Sequence, residues 1–143
     1  MRVCGVELSG GDAIICLLGR EGQLFDIPDC RVRKLSLAKV HSQEDMRKFQ
    51  FDFAKLMQDY SVDKVAIRER PTKGKFAASA TSFKMEAAIQ VIDDLDVLML
   101  SPSTLKELQK EHPLPIDFTD TELKVFQQPA FISAYVAHYY KGE

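Results

Sequence analysis

The order of the apolar segments constrains the fold of this chain more than any other feature of the sequence. Three short apolar segments come first and predict strands over about 2–9, 13–18 and 23–27. Glycine-containing turns separate them, which suits glycine because it tolerates a positive φ. Segments with helical spacing then alternate with further strand-like segments. A chain with this order is expected to form a mixed α/β sheet with helices on both faces.

Helical and strand-like segments alternate in the rest of the chain. Ser42 and Asp45 form a capping-box pattern before apolar residues at helical spacing, so a long helix is predicted to begin at Ser42. Residues 31–35 extend the third strand or follow it. The order βββ-α-β-α-β-α predicts a five-stranded sheet, with the first and fourth strands side by side and parallel. The other predicted elements are strands over 62–67 and 96–100, helices over 77–93 and 104–111, and a helical turn over 119–127. In the last helix, Pro129 suits the first helical position and residues 131–140 are apolar on nearly all sides.

Length and composition restrict the class of protein. The chain has 143 residues, which fits a single domain over 1–143. Its apolar runs are much shorter than the ~20 residues of a membrane helix, and no signal-peptide pattern precedes the first strand, so a cytoplasmic protein without a membrane partner is expected. The net charge is −2, whereas dedicated DNA-binding proteins are usually strongly basic. Cys4, Cys16 and Cys30 lack the spacing of a zinc site, and the first two are predicted to be buried.

Two glutamates stand near the ends of predicted strands. Glu7 lies near the end of the first strand and Glu69 at the end of the fourth. If these strands are neighbours, about 4.8 Å apart, both carboxylates lie at one edge of the sheet and repel each other unless a cation joins them. Mg²⁺ or Mn²⁺ is the hard cation that such a pair would hold, together with water and substrate phosphate. Alternatively, each glutamate is a solvated strand end or pairs with Arg68 or Arg70.

A cluster of basic residues surrounds Glu69 in the sequence. Its members are Arg68, Arg70, Lys73 and Lys75. Such a cluster beside a metal-binding edge would bind the phosphates of a nucleic acid, with an affinity that falls as the salt concentration rises. The alternative is a solvated loop whose charges balance Glu69.

Several segments resemble the RuvC-like Holliday-junction resolvases, which have an RNase H-like fold. Residues 5–10, Gly-Val-Glu-Leu-Ser-Gly, resemble the first-strand motif of that family, and residues 65–71 resemble its second acidic strand. Residues 76–92 are similar to the helix that follows, and residues 98–106 to the strand, proline turn and lysine after it. The resemblance covers nearly the whole chain and implies an RNase H-like fold. The chain is also similar to a small bacterial family of this length that is carried as a domain of unknown function.

The resemblance to the resolvases implies hydrolysis of phosphodiesters by two metal ions that four acids hold. Glu7 matches the first acid. Glu69 matches the second only with a shift of one residue, because strict alignment places Arg68 there. Ala130 and Ser133 stand where the last two acids are expected, and neither can bind a metal as a carboxylate does.

The missing acids leave several functions open. Asp120, before the final helix, could replace one of them as a metal ligand, as could Asp12, Asp117 or Glu122. Glu7 and Glu69 would then be the catalytic residues of a Mg- or Mn-dependent nuclease. Without such a replacement, the chain would be a non-catalytic binding module on the same fold, with nucleic acid as a candidate partner. RuvC-like proteins often pair, so a homodimer that binds another protein is a third possibility.

Overall fold

A mixed sheet of six strands forms the centre of the computed structural model, which describes residues 1–37, 42–71 and 79–142. The central strand, β1, pairs antiparallel with β2 along its whole length and parallel with β5, and β6 continues the sheet parallel to β5. The prediction that the first and fourth predicted strands are adjacent and parallel is therefore confirmed. The strands are β1 (Arg2–Ser9), β2 (Asp12–Glu21), β3 (Leu24–Asp26), β4 (Lys34–Ser36), β5 (Lys64–Arg68) and β6 (Val97–Leu100).

The number of strands differs from the prediction of five. The additional strand is β4, which pairs with residues 12–14 of β2, whereas β3 pairs with residues 19–21 of the same strand. Since β2 has 10 residues, the edge that it does not share with β1 is long enough for two partners of 3 residues each. A strand of three residues with one apolar side chain, Leu35, has too short a pattern to be distinguished from a loop in the sequence.

Four α-helices cover the sheet in the part of the chain that the structure describes: α1 (Gln43–Asp59), α2 (Ala80–Gln90), α3 (Pro102–Glu111) and α4 (Gln128–Ala137). The predicted capping box of α1 is present. The Ser42 hydroxyl accepts a hydrogen bond from the Asp45 backbone N–H, and the Asp45 carboxylate accepts one from the Ser42 N–H. None of the described helices is long and apolar enough to cross a membrane.

The segment before α4 differs from its prediction. In place of a helical turn over 119–127 there are two 3-10 helices, Phe118–Thr121 and Val125–Gln127. The second runs directly into α4, which begins at Gln128, one residue before the predicted first helical position, Pro129. The Gln127 side chain fixes this junction to the sheet, because its Nε2 donates a hydrogen bond to the Ile15 carbonyl at 3.0 Å.

The two faces of the sheet carry separate hydrophobic cores, which confirms the prediction of helices on both faces. One core joins β1 and β5 to α1 and α2, with Phe53 and Ile89 among its fully buried side chains. The other joins the opposite face to α3 and α4, with Leu105 and Ala134 among its members. Alternate residues of each strand belong to alternate cores, as the pleat of a sheet requires.

The buried cysteines lie in different cores. Cys4 belongs to the core under α1 and α2, and Cys16 belongs to the core under α3 and α4. Both thiols are free, as is that of the half-buried Cys30. Burial raises the pKa of the Cys16 thiol to about 12, and it also raises that of Cys4. Both therefore behave as small apolar side chains, as predicted.

Gly5 brings α4 into direct contact with the central strand. A Cβ atom at this position would lie 1.9 Å from the Ala130 carbonyl oxygen and 2.7 Å from the Ala134 backbone nitrogen. Real Cβ atoms do not approach so closely, so the helix can occupy this place only above a glycine. This contact places the amino-terminal half of α4 over β1 at Gly5, which lies two residues before Glu7.

Candidate functional site

The carboxyl ends of β1, β5 and β6 meet at one edge of the sheet. The register of β1 and β5 pairs Val6 with Ile67, so the next residues in register are Glu7 and Arg68. The Arg68 Nη1 lies 3.3 Å from the Glu7 Oε2 and donates a hydrogen bond to it. The Glu7 side chain is 18% exposed and that of Arg68 is 44% exposed. A guanidinium group is therefore the cation that faces the Glu7 carboxylate.

Glu69 follows Arg68 and lies at the same edge of the sheet. Glu7 and Glu69 line one cavity of about 290 Å³. Its other lining residues are Ser9, Arg68, Arg70, Pro71 and Pro102. Because successive residues of a strand point to opposite faces, Arg68 shares the Glu7 face and Glu69 is directed away from it. The Glu69 backbone N–H donates a hydrogen bond to the Leu100 carbonyl, which continues the pairing of β5 with β6. A metal ion shared by Glu7 and Glu69 stays a prediction.

A glutamate on α2 interacts with Glu69. Burial raises the pKa of the Glu86 carboxyl, and the negative charge of Glu69 raises it further, whereas the positive charge of Arg70 lowers it. Glu69 therefore acts electrostatically on Glu86, on the side of the sheet that α2 covers. Glu86 was not among the residues predicted for the site. The available signal was a single acid in a helix otherwise rich in small and apolar residues.

The predicted metal ligands do not assemble into a cluster. Asp120 is an exposed residue of the 3-10 helix Phe118–Thr121. Within residues 1–37, 42–71 and 79–142, no group of three or more His, Cys, Asp or Glu side chains could hold a metal ion. Ala130 and Ser133 of α4 supply no carboxylate, and both are fully buried. The described residues therefore do not fit the two-metal arrangement that the resemblance implies.

The predicted basic cluster is only partly within the described residues. Arg68 and Arg70 are half-buried and line the cavity that Glu7 and Glu69 share. Lys73 and Lys75 lie in residues 72–78, outside the described part of the chain.

A second cavity lies beside Arg68, between α3 and α4. It has a volume of about 310 Å³, and the polar residues that line it are Arg68, Lys106, Gln109, Gln128 and Ser133. Lys106 was not predicted as a site residue, although the lysine after the proline turn was part of the resemblance. Gln109, Gln128 and Ser133 meet it only because α3 packs against α4, which a local sequence pattern does not reveal.

Comparisons with known proteins agree with this architecture. A family model described as "Protein of unknown function (DUF3010)" matches residues 1–137. A Thermus thermophilus RuvC structure superposes with a TM-score of 0.75 at 11% identity, over 98% of this chain and 95% of that one. T. thermophilus RuvC in complex with a Holliday-junction substrate gives a TM-score of 0.69 at 10% identity, over 98% and 94% of the two chains. The comparison with curated proteins gives no significant match. The fold is therefore RNase H-like, as the sequence predicted.

Proposed function

This chain belongs to the DUF3010 family of proteins of unknown function, and from the geometry of its site we propose that it binds nucleic acid without hydrolysing it. Basic side chains at the carboxyl edge of the sheet, with Arg68 at their centre, hold backbone phosphates. The residues for two-metal catalysis are incomplete, because Ala130 and Ser133 replace the last two acids of the resemblance.

The ion pair of Arg68 with Glu7 carries this proposal. At 3.3 Å, the guanidinium already balances the carboxylate charge that would otherwise attract a divalent cation. An arginine has five N–H donors in a planar fork, and Glu7 accepts from Nη1. Within the described part of the chain, the remaining donors of the Arg68 guanidinium have no hydrogen-bond partner and can bind phosphate oxygens, which planar guanidinium groups hold in bidentate geometry.

The likeness to RuvC suggests the first nucleic acid to test. One of the similar structures is RuvC with a Holliday-junction substrate. At 10% identity this likeness concerns the fold alone. A four-way DNA junction is therefore a reasonable probe for this chain, with duplex and single-stranded DNA as comparisons.

Metal-dependent hydrolysis is the second candidate function. The observation in its favour is that Glu7 and Glu69 line one cavity, where they could hold a single Mg²⁺ or Mn²⁺. The two candidates predict opposite effects of Glu7→Gln. A nuclease loses its metal ligand and its activity. A phosphate-binding site keeps Arg68, loses a competing anion and binds DNA at least as well as before.

The test is fluorescence anisotropy with a labelled junction, in EDTA and in Mn²⁺, combined with a cleavage assay. We expect binding in EDTA, no cleavage, and a salt dependence whose log–log slope falls in magnitude by about 1 in Arg68→Gln. Arg47→Gln is the matched control, because Arg47 is an exposed arginine of α1, which packs on the opposite face. Mn²⁺-dependent cleavage that Glu7→Gln abolishes would establish the nuclease instead. Absence of binding to every nucleic acid would refute both functions.

A further inference from the structure

The cavity between α3 and α4 has a composition suited to an anion. Two of its lining side chains, Arg68 and Lys106, are positively charged, and none of its lining residues is an Asp or Glu. Among the described residues, Lys106 forms no ion pair, and its side chain is exposed. At about 310 Å³, the cavity has room for several water molecules of about 30 Å³ each.

The start of α4 contributes to the same wall of the cavity. Gln128, Pro129 and Ser133 line it. No side chain caps this helix through a hydrogen bond, and its first turn contains no acidic residue. The Gln128 N–H already donates to the Val125 carbonyl and Pro129 has no N–H, so the start of α4 contributes a wall without acidic charge rather than free backbone donors.

The Ser133 hydroxyl is an independent sign of a ligand. Ser133 is 0% exposed, and its Oγ has no hydrogen-bond partner within the described chain. It is the one side chain among the described residues with such an unpartnered buried atom. A buried hydroxyl without a partner is unfavourable, so its position at the wall of a basic cavity indicates a missing acceptor.

We propose that this cavity binds one phosphate group of a nucleic acid directly, without a divalent metal, between Arg68, Lys106 and the Ser133 hydroxyl. This inference rests on the proposed function and names the atoms that perform it. Arg68 lines this cavity and also contacts Glu7, so it connects the phosphate to the edge of the sheet. The Ser133 Oγ–H donates to a phosphate oxygen, which supplies the acceptor that is missing among the described residues.

The experiment is a titration of the ¹⁵N-labelled full chain with inorganic phosphate in EDTA, at constant ionic strength. We expect saturable amide shifts at the start of α4 and along the Lys106 side of α3. Lys106→Gln and Ser133→Ala should each weaken the affinity by about tenfold, the effect of losing a charge-assisted hydrogen bond. Lys110→Gln is the matched control, because Lys110 is exposed on the same helix and does not line the cavity. The phosphate affinity of Lys110→Gln should differ from that of the natural chain by less than about twofold. Shifts that Lys106→Gln and Ser133→Ala leave unchanged, or shifts elsewhere in the chain, would overturn the site.

Junction binding by the same variants separates the two proposals. Junction binding that Lys106→Gln and Ser133→Ala leave intact would refute the phosphate site and retain the proposed function. Phosphate bound in the cavity without binding of any nucleic acid would refute the proposed function, and the cavity would remain an anion site. If neither inorganic phosphate nor any nucleic acid bound, both the phosphate site and the proposed function would be refuted.

Discussion

Arg68 decides the chemistry at the edge of the sheet, because it supplies the positive charge that faces Glu7. The same position with a carboxylate would place two acids in register on adjacent strands. Two carboxylates so close raise the pKa of one of them unless a cation intervenes. The identity of this single residue thus distinguishes the proposed phosphate-binding edge from a metal-binding edge.

We expect Arg68→Glu to create a metal site at the carboxyl edge of the sheet. The new carboxylate beside Glu7 should give saturable Mn²⁺ binding by calorimetry, and phosphate binding should be lost. Arg68→Gln is the control, since it removes the same positive charge without adding an acid. Equal Mn²⁺ binding by the natural chain and by Arg68→Glu would show that the guanidinium does not replace a metal.

Ser133 should reduce the stability of the ligand-free protein. Ser133→Ala removes the one buried side-chain polar atom without a partner among the described residues, so it should raise the free energy of unfolding by about 1 kcal/mol. Ser42→Ala is a comparison of opposite sign, because it removes the capping box of α1 and should cost about 1 kcal/mol. Urea unfolding in phosphate-free buffer measures both. A loss of stability in Ser133→Ala would mean that the hydroxyl has a partner in solution.

His138 should make stability depend on pH. Burial lowers the pKa of its imidazole below 6.5, and the positive charge of Arg20 lowers it further, although the hydrogen bond with the Leu18 carbonyl raises it. The unfolded chain therefore takes up a proton near pH 6.5, before the folded chain does. The stability that the buried, neutral His138 contributes is fully present above pH 6.5. It is lost as the pH falls from 6.5 to the pKa of the folded state. Urea unfolding between about pH 5 and 7.5 should show a smaller decline in His138→Gln than in the natural chain. An identical decline in both would exclude His138 as the cause.

At the level of elements, the contact of α4 with β1 fixes the site. The helix lies directly on Gly5, and its next turn brings Ser133 towards Arg68 and Lys106. A change in the distance between α4 and the strand would therefore alter the cavity as well as the core.

We expect Gly5→Ala to destabilise the fold and weaken phosphate binding together. The added methyl group would overlap the Ala130 carbonyl, and overpacking of this kind costs about 1–3 kcal/mol or more. Gly11→Ala is the matched control, because its Cβ would lie 3.2 Å from one atom, the Leu37 carbonyl oxygen, and the loss should be smaller. Urea unfolding gives the ranking. Equal stability of Gly5→Ala and the natural chain would show that α4 can move away from β1 at little cost.

The positions of strands and helices could be predicted from the sequence more accurately than the residue-by-residue pairing of neighbouring strands. The order of the elements, together with right-handed crossovers, was sufficient to predict that β1 and β5 are adjacent and parallel. Which residue stands beside Glu7 depends on a shift of one position, and such a shift moves every side chain of the strand to the other face. The sequence therefore placed Arg68 and Glu69 at the edge without deciding between them. The cavity that Lys106 and Ser133 line could not be predicted from the sequence, because residues on two helices meet there only through tertiary packing.

For the whole molecule, the distribution of charge matters more than its sum. A net charge of −2 gives little general attraction to DNA. Arg68 and Lys106 nevertheless line one cavity without an acidic neighbour in its wall. Binding should thus depend on a few local contacts. The cytoplasmic location and the homodimer stay predictions, and sedimentation velocity tests the second.

Cys4 and Cys16 lie in opposite cores, so chemical modification of each thiol can report when its own core becomes accessible to solvent. An alkylating reagent attacks thiolates, and burial holds the pKa of Cys16 at about 12 and raises that of Cys4. Cys30, which is partly exposed, should be modified first under native conditions. Mass spectrometry then reads the modification of Cys4 as loss of the α1–α2 core and that of Cys16 as loss of the α3–α4 core. Simultaneous modification would show that the two halves unfold as one cooperative unit, and stepwise modification would reveal which layer detaches first.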